Sequence, residues 1–315
     1  MYPIITITLN PAIDISTTVQ SLQPEKKLRC ADPVLEAGGG GINVARVLHR
    51  FGEIVLPVYL AGGCTGSRLT HLLELDGIPT SPVDIGSETR ENMHISDISN
   101  GRQYRFVLPG PQISHAENLA LLNILADLMS GAQYVVISGS LPDGTSPDFM
   151  QKLAALADLH DSLLIADVSG DGLRQATMAG VYLIKPNLGE LAALANKEEL
   201  TEPEAILAAR RIITAGGAAV VVISMGAAGA ILVTADLEER IQAPVAKAVS
   251  TVGAGDSMVA GIVWGLRNGS GISDAVRYGI ASGTAATLVK GTGLCQKKDA
   301  DRLFRQITTE DKLSL

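Results

Sequence analysis

The 315-residue chain predicts an α/β fold: a mostly parallel sheet with helices on both faces, plus a small β-sheet lid. Three observations carry that expectation. Short apolar runs alternate with helix-length amphipathic stretches, as strands buried on both faces and their crossover helices require. A hydrophobic content of 46% and a mean hydropathy of +0.25 allow a large core in one domain spanning 1–315. Two polar, β-prone segments, 14–34 and 91–107, lack helical periodicity and break the alternation.

The elements follow in order. Residues 4–9 form a first strand, preceded by no basic region of the kind that opens a signal peptide. Further strands are expected at 55–60, 134–138, 163–167, 181–185 and 219–224, all short apolar runs. Helical periodicity marks 42–51, 67–75, 116–129, 147–159, 189–195 and 203–215 between them. Residues 231–234 and 240–243 read as a hairpin, followed by helices at 254–266, 272–289 and 299–307. Segments 14–34 and 91–107, with Tyr104-Arg105-Phe106-Val107 the clearest strand, are expected to pair as a sheet covering a ligand or meeting another subunit.

Composition narrows the function. A formal net charge of −8 argues against nucleic acid or an anionic membrane surface as partner. No apolar run approaches the ~20 residues that span a bilayer. Cys30, Cys64 and Cys295 are odd in number and widely spaced, which fits free thiols in a reducing cytoplasm. No Cys/His grouping has the spacing of a zinc site.

The most informative segment is Val252-Gly253-Ala254-Gly255-Asp256-Ser257-Met258, at the start of an apolar helix. Small residues let several backbone N–H groups converge on an anion, and the helix start adds positive potential. Asp256 places a carboxylate inside that cradle. A base beside a phosphate is useful when it must deprotonate the group attacking phosphorus, so the segment points to phosphoryl transfer. The same helix start is expected to lower the basicity of Asp256.

Other segments admit a binding and a plain reading. Gly38, Gly39, Gly40 and Gly41 precede a helix bearing Asn43. They are either a flexible turn or a place where a ligand touches backbone, with Asn43 offering donor and acceptor. No Gly-Lys pair exists, so the phosphate loop is absent, and the dinucleotide fingerprint fails too. Any ATP is held by another device. In Lys185-Pro186-Asn187-Leu188-Gly189-Glu190, Asn187 and Glu190 share a helix face, either as a capping box or as holders of a hydrated Mg²⁺. The turn from Ser224 through Gly226 to Gly229 ends a strand, where a nucleotide fits in open α/β sheets. Asp14 is either a turn residue or an acceptor for sugar hydroxyls. Lys27, Arg29, Arg90 and Arg105 are singly surface charges, but together they suit a substrate phosphate.

In order along the chain, these segments resemble the ribokinase-like sugar kinases, specifically their phosphofructokinase-B branch. The resemblance covers nearly the whole chain and rests on the Asn10-to-Asp14 turn, the glycine run with Asn43, Asn187-x-x-Glu190, the Ser224-to-Gly229 turn and Thr251-Val252-Gly253-Ala254-Gly255-Asp256. Within the branch the 6-phosphofructokinase type is most similar, through Lys27-Leu28-Arg29-Cys30, Gln103-Tyr104-Arg105-Phe106-Val107, Ser138-Gly139-Ser140-Leu141-Pro142 and Gly40, where 1-phosphofructokinase and tagatose-6-phosphate kinase relatives usually carry lysine. Leu9-Asn10-Pro11-Ala12-Ile13-Asp14 looks more like those relatives. They remain the alternative, and a non-catalytic sugar-phosphate sensor a remote one.

The resemblance implies a three-layer α/β/α domain and transfer from MgATP to a ketohexose phosphate. Asp256 would be the base, with Gly253, Ala254 and Gly255 lining the anion hole. Asp14, Gly39 and Asn43 would fix the sugar, and Lys27, Arg90 and Ser140 its phosphate. Arg29 and Arg105 would be added from a neighbouring subunit. Lys185, Asn187, Ser224, Gly226, Gly229 and Thr284 would hold ATP, with Mg²⁺ near Asn187 and Glu190. Backbone carbonyls of Ser250, Val252, Ala286, Val289, Gly291 and Gly293 match a family K⁺ site. A homodimer through the lid is expected, since lid pairing would hide strand edges.

Overall fold

The computed structural model describes residues 1–289 and 293–313. In chain order, β1 (Ile4–Thr8), β2 (Ala12–Val19) and β3 (Val34–Gly38) precede α1 (Gly40–Arg50), β4 (Val55–Ala61) and α2 (Gly63–Leu75). Three strands follow: β5 (Ser81–Asp84), β6 (Arg90–Asp97) and β7 (Arg102–Val107). Next come α3 (His115–Leu128), β8 (Tyr134–Ser138), α4 (Phe149–Leu159), β9 (Leu163–Asp167), α5 (Asp171–Ala179) and β10 (Val181–Ile184). Then α6 (Leu188–Leu194), α7 (Glu202–Thr214), β11 (Ala218–Ser224), β12 (Ala230–Val233) and β13 (Glu238–Ile241) lead to α8 (Ala254–Arg267), α9 (Ile272–Thr287) and α10 (Lys297–Leu313).

Nine strands make one sheet in the order β13-β12-β11-β10-β9-β8-β1-β4-β5. It is parallel from β5 to β11, and the β12–β13 hairpin adds an antiparallel end. Alternate residues of the apolar strands feed two cores. Ile5, Ile7, Val135, Ile137 and Leu164 pack with Leu125, Phe149 and Leu153 of α3 and α4 on one face. Ile4, Val136, Ile165 and Leu183 pack with Leu48, Val259, Ile262 and Ile280 of α1, α8 and α9 on the other. The period of two along each strand thus fills both helical layers. Helices α3, α6 and α7 begin at capping boxes, Ser114 with Glu117, Asn187 with Glu190, and Thr201 with Glu204. No helix among the described residues is long and apolar enough to cross a membrane.

The lid is a four-stranded sheet, β3-β2-β6-β7. Its two halves, remote in sequence, join through the parallel β2–β6 pair, which registers Ala12 with Arg90, Asp14 with Asn92 and Ser16 with His94. Its base is sealed by Ile13 and Ala37 against Leu69 and Leu73 of α2.

Three elements lie outside the sequence expectation. Strand β3 runs straight into the glycine run, whose turn-like composition hides it. Strand β5 is Ser-Pro-Val-Asp, one buried side chain at the sheet's outer edge, where proline is tolerated. Helix α5 buries only Gly172, Leu173 and Ala176, too few for a periodic signal. Most of the stretch between β2 and β3 is irregular, and α9 ends at Thr287 rather than at 289.

Candidate active site

Strand β4 lies on one side of β1 and β8 on the other, so the crevice left where strand progression reverses opens at the carboxyl ends of β1 and β8. Asn10 sits there and donates from Nδ2 to Ser140 Oγ at 3.0 Å. Arg90 donates from Nη2 to Asn10 O at 3.0 Å and from Nη1 to Leu108 O at 3.1 Å, tying the lid to the crevice. Alternation along β6 puts Arg90, Asn92 and His94 on one lid face. Asn92 Nδ2 donates to Asp14 Oδ1 at 2.9 Å, and His94 Nε2 stands 3.6 Å from the same oxygen. Thr8 Oγ1, Asn10 Oδ1, Ser138 Oγ, Arg90 Nε and both ring nitrogens of His94 are buried without hydrogen-bond partners among the described residues. Buried polar atoms are normally satisfied, so this wall suits a hydroxyl-rich ligand.

The glycine run lets α1 approach this crevice. Gly39 has φ of +118° at the helix start, a region where a side chain is strained. A Cβ on Gly40 would collide with Ser138 Oγ and Gly139 N, and one on Gly41 with Ile7 O. Close packing on β1 and β8, as much as ligand access, therefore requires small residues. The approach carries Asn43 to Asp256: Asn43 Nδ2 donates to Asp256 Oδ2 at 2.8 Å. Expected as a sugar ligand, Asn43 here holds one oxygen of the Asp256 carboxylate.

Asp256 lies in the first turn of α8, after Gly253 with φ of +69°. The amides of Gly255 and Asp256 have no acceptor among the described residues, as helix starts leave them. The expected lowering of basicity is overturned. The residue is partly exposed at the crevice mouth but its carboxyl is ringed by protein, and burial first, then Asp167, push its pKa up to about 6 against the opposing pull of Asn43 and Lys185.

Lys185, buried, forms an ion pair from Nζ to Asp167 Oδ1 at 3.0 Å. A Cβ placed on Gly255 would lie 3.6 Å from the same Nζ, so the ammonium borders the anion turn. Burial works against its charge, but Asp167, Asp256 and Glu190 more than offset this and raise its pKa.

On the nucleotide side, Asn187 and Ser224 are paired across an isolated bridge, and Ser224 N donates to Pro186 O at 2.9 Å. Gly226 opens an exposed single helical turn, whereas Gly229 is required because a Cβ would strike Ile241 O. Thr284 follows Gly283, whose own Cβ would come within 3.0 Å of Ala254 O, so α9 borders the anion turn as well. A hollow of about 430 Å³ is lined by Gly170, Arg174, Asn187 and Glu190. A separate hollow of about 550 Å³ near Gly62 and Ile85 contains none of these groups.

The capping box at Asn187 and Glu190 is present, with Glu190 N donating to Asn187 Oδ1 at 2.8 Å and Asn187 N to Glu190 Oε2 at 2.9 Å. It leaves the second carboxylate oxygen of Glu190 available, which suits a water-bridged Mg²⁺. Val249 N and Ser250 N both donate to Thr287 O, laying the stretch that carries Ser250 and Val252 against the end of α9 with Ala286 and Val289. Carbonyls from two adjoining stretches fit a monovalent cation. Gly293 follows that end, and Gly291 lies outside the described residues.

Two basic residues are not brought in among the described residues: Lys27 and Arg29 are exposed on the irregular stretch after β2. Arg105, expected from a neighbouring subunit, donates from Nη2 to Thr251 Oγ1 of its own chain at 3.3 Å, because β7 pairs with β6 above the anion turn. Sequence reasoning passed over Asn10, Asn92, His94, Ser138 and Asp167. The alternating polar residues of β6 were a usable signal for two of them; Asp167 looked like the plain end of a strand.

Residues 3–299 match the pfkB family of carbohydrate kinases. The ATP-dependent 6-phosphofructokinase isozyme 2 of Mycobacterium tuberculosis is 43% identical over 96% of this chain and 88% of its own. A crystal structure of phosphofructokinase-2 from Escherichia coli in complex with potassium superposes with a TM-score of 0.93 at 40% identity, covering 98% of this chain and 100% of that one. A ribokinase from Thermotoga maritima, 18% identical with a TM-score of 0.76 over 97% of this chain and 100% of that one, shares the fold.

Proposed function

The chain belongs to the pfkB family of carbohydrate kinases, and from that premise we propose that it is an ATP-dependent 6-phosphofructokinase. The reaction moves the γ-phosphoryl group of MgATP to the C1 hydroxyl of fructose 6-phosphate, giving fructose 1,6-bisphosphate and ADP. The observation that carries this reading is a carboxylate with pKa near 6, set in an amide-lined helix start beside a buried ammonium. That arrangement deprotonates an alcohol as it attacks a bound phosphoryl group.

Asn43 occupies Oδ2 of Asp256, leaving Oδ1 to take the C1 hydroxyl proton as the sugar's C1 oxygen bonds to phosphorus and the bond from phosphorus to the ADP oxygen breaks. Free amides of Gly255 and Asp256, with Gly253 and Ala254 shaping the turn, and the Lys185 ammonium stabilise charge on the transferring group. Asp14, held by Asn92, accepts sugar hydroxyls together with the Gly39 backbone. Arg90 and Ser140, already linked through Asn10, receive the 6-phosphate, with Arg105, held at Thr251, adding charge. ATP lies along Lys185, Asn187, Ser224, Gly226, Gly229 and Thr284. Asn187 and Glu190 would hold Mg²⁺ through water, which would supply neutralisation of phosphate charge, and the backbone carbonyls of Ser250, Val252, Ala286, Val289 and Gly293 would hold K⁺. Two chains associate through the outer lid face, where Met93 opposes Phe106 in register and both are exposed.

The test is kcat/KM with MgATP on fructose 6-phosphate, fructose 1-phosphate and tagatose 6-phosphate. Fructose 6-phosphate is expected to be the best substrate. If it proves the poorest, the choice within the family is wrong, and transfer to none of the three would favour a sensor.

A further inference from the structure

Asp167 takes no part in the steps above, yet the sheet delivers it to the centre of them. Strands β8, β9 and β10 are parallel neighbours. Ser138 is registered with Asp167 and Ala166 with Ile184, so Asp167 and Lys185 emerge side by side at the strand ends. Gly139 N donates to Asp167 O at 3.0 Å, fixing the strand end beside the turn that carries Ser140. Lys185 is only 7% exposed, and a buried ammonium needs a counter-ion. Asp167 supplies it at 3.0 Å. The ammonium also borders Gly255 of the anion turn, one residue from the base.

Two demands conflict here. A cation beside the turn draws the triphosphate, but an uncompensated cation beside Asp256 would stabilise the carboxylate and make it a poor proton acceptor. We propose that Asp167 is a positioning residue of the phosphoryl transfer: its ion pair with Lys185 fixes the ammonium at the anion turn and sets how much of that charge the base feels. The proposal rests on Asp256 being the base of the kinase reaction.

The groups facing Asp256 are Asp167 from β9, Lys185 after β10, Asn43 from α1 and Asp14 from β2, while Glu190 of α6 acts on Lys185. Of these, Asp167 and Asp14 favour the protonated carboxyl and Asn43 and Lys185 the ionised one, with burial the largest influence.

The experiment is the pH profile of kcat for the full-length enzyme, Asp167→Asn and Lys185→Met. Asparagine keeps the shape and an acceptor for Lys185 while removing the charge. The acid limb, near pH 6 in the unmodified enzyme, is expected to fall by about half a unit or more in Asp167→Asn and to rise by a similar amount in Lys185→Met. A rate loss in Asp167→Asn with the limb unmoved would reduce Asp167 to scaffolding and overturn the proposal. Should no sugar phosphate be turned over, ¹³C titration of the Asp256 carboxyl in the unmodified protein, Asp167→Asn and Lys185→Met reads the same coupling, and should Asp167→Asn misfold, Asp167→Ser takes its place. A downward shift in the Asp167 variant supports the proposal, and a titration identical to that of the unmodified protein refutes it.

Discussion

Asp256 has its proton affinity set by a contest between burial and its neighbours, and the outcome has two measurable consequences. With a pKa pushed up to about 6, the carboxyl is ionised at neutral pH but titrates within reach of ordinary assays. Asp256→Asn is expected to lower kcat by roughly 10²–10⁴-fold with the KM for the sugar phosphate nearly unchanged; undiminished turnover would remove Asp256 from its role. The second consequence concerns stability. Because the folded pKa exceeds the unfolded one, the native state binds the extra proton between about pH 4 and 6, and the ionised group destabilises the fold above that window. Asp256→Asn should therefore stabilise the protein on the order of 1–2 kcal/mol at pH 7.5 and hardly at all at pH 4. Thermal melts at both pH values test the sign.

At the scale of elements, the site depends on how closely α1 sits on the sheet and how α6 begins. Gly40→Ala drives a Cβ into Ser138 Oγ and Gly139 N, and backbone cannot yield cheaply. A loss of about 1–3 kcal/mol in stability is expected, with a fall in kcat as Asn43 withdraws from Asp256. A melting temperature and kcat like those of the unmodified enzyme would disprove the packing account. For α6, cap and metal roles of Glu190 separate in Glu190→Gln. Glutamine still accepts from Asn187 N, so stability should change by less than about 0.5 kcal/mol. The Mg²⁺ concentration for half-maximal activity should rise about 10-fold or more; an unchanged Mg²⁺ requirement would leave Glu190 as a cap alone.

The whole molecule joins a rigid nine-stranded platform to a four-stranded lid whose outer face exposes Met93 at 38% and Phe106 at 42%. In the proposed dimer a second lid would bury this apolar face. Phe106→Asp is expected to shift the protein toward monomer in sedimentation at micromolar concentration, and an unaltered dimer would exclude the lid as the contact. Most of the platform was legible in the sequence because strands buried on both faces must be apolar runs and crossover helices must show a 3.6-residue period. The turn at Gly253 that opens α8 was equally legible, since small residues in a row before an apolar run mark a tight helix start. What the sequence could not specify depends on groups that meet only after folding. Asp167 and Lys185 pair through strand register across separate strands, and Asn43 reaches Asp256 across 213 positions. The same is true of proton affinity: sequence placed Asp256 at a helix start that should weaken it as a base, and only burial, with Asp167 and Asp14 brought close by tertiary packing, reversed that sign against the pull of Asn43 and Lys185.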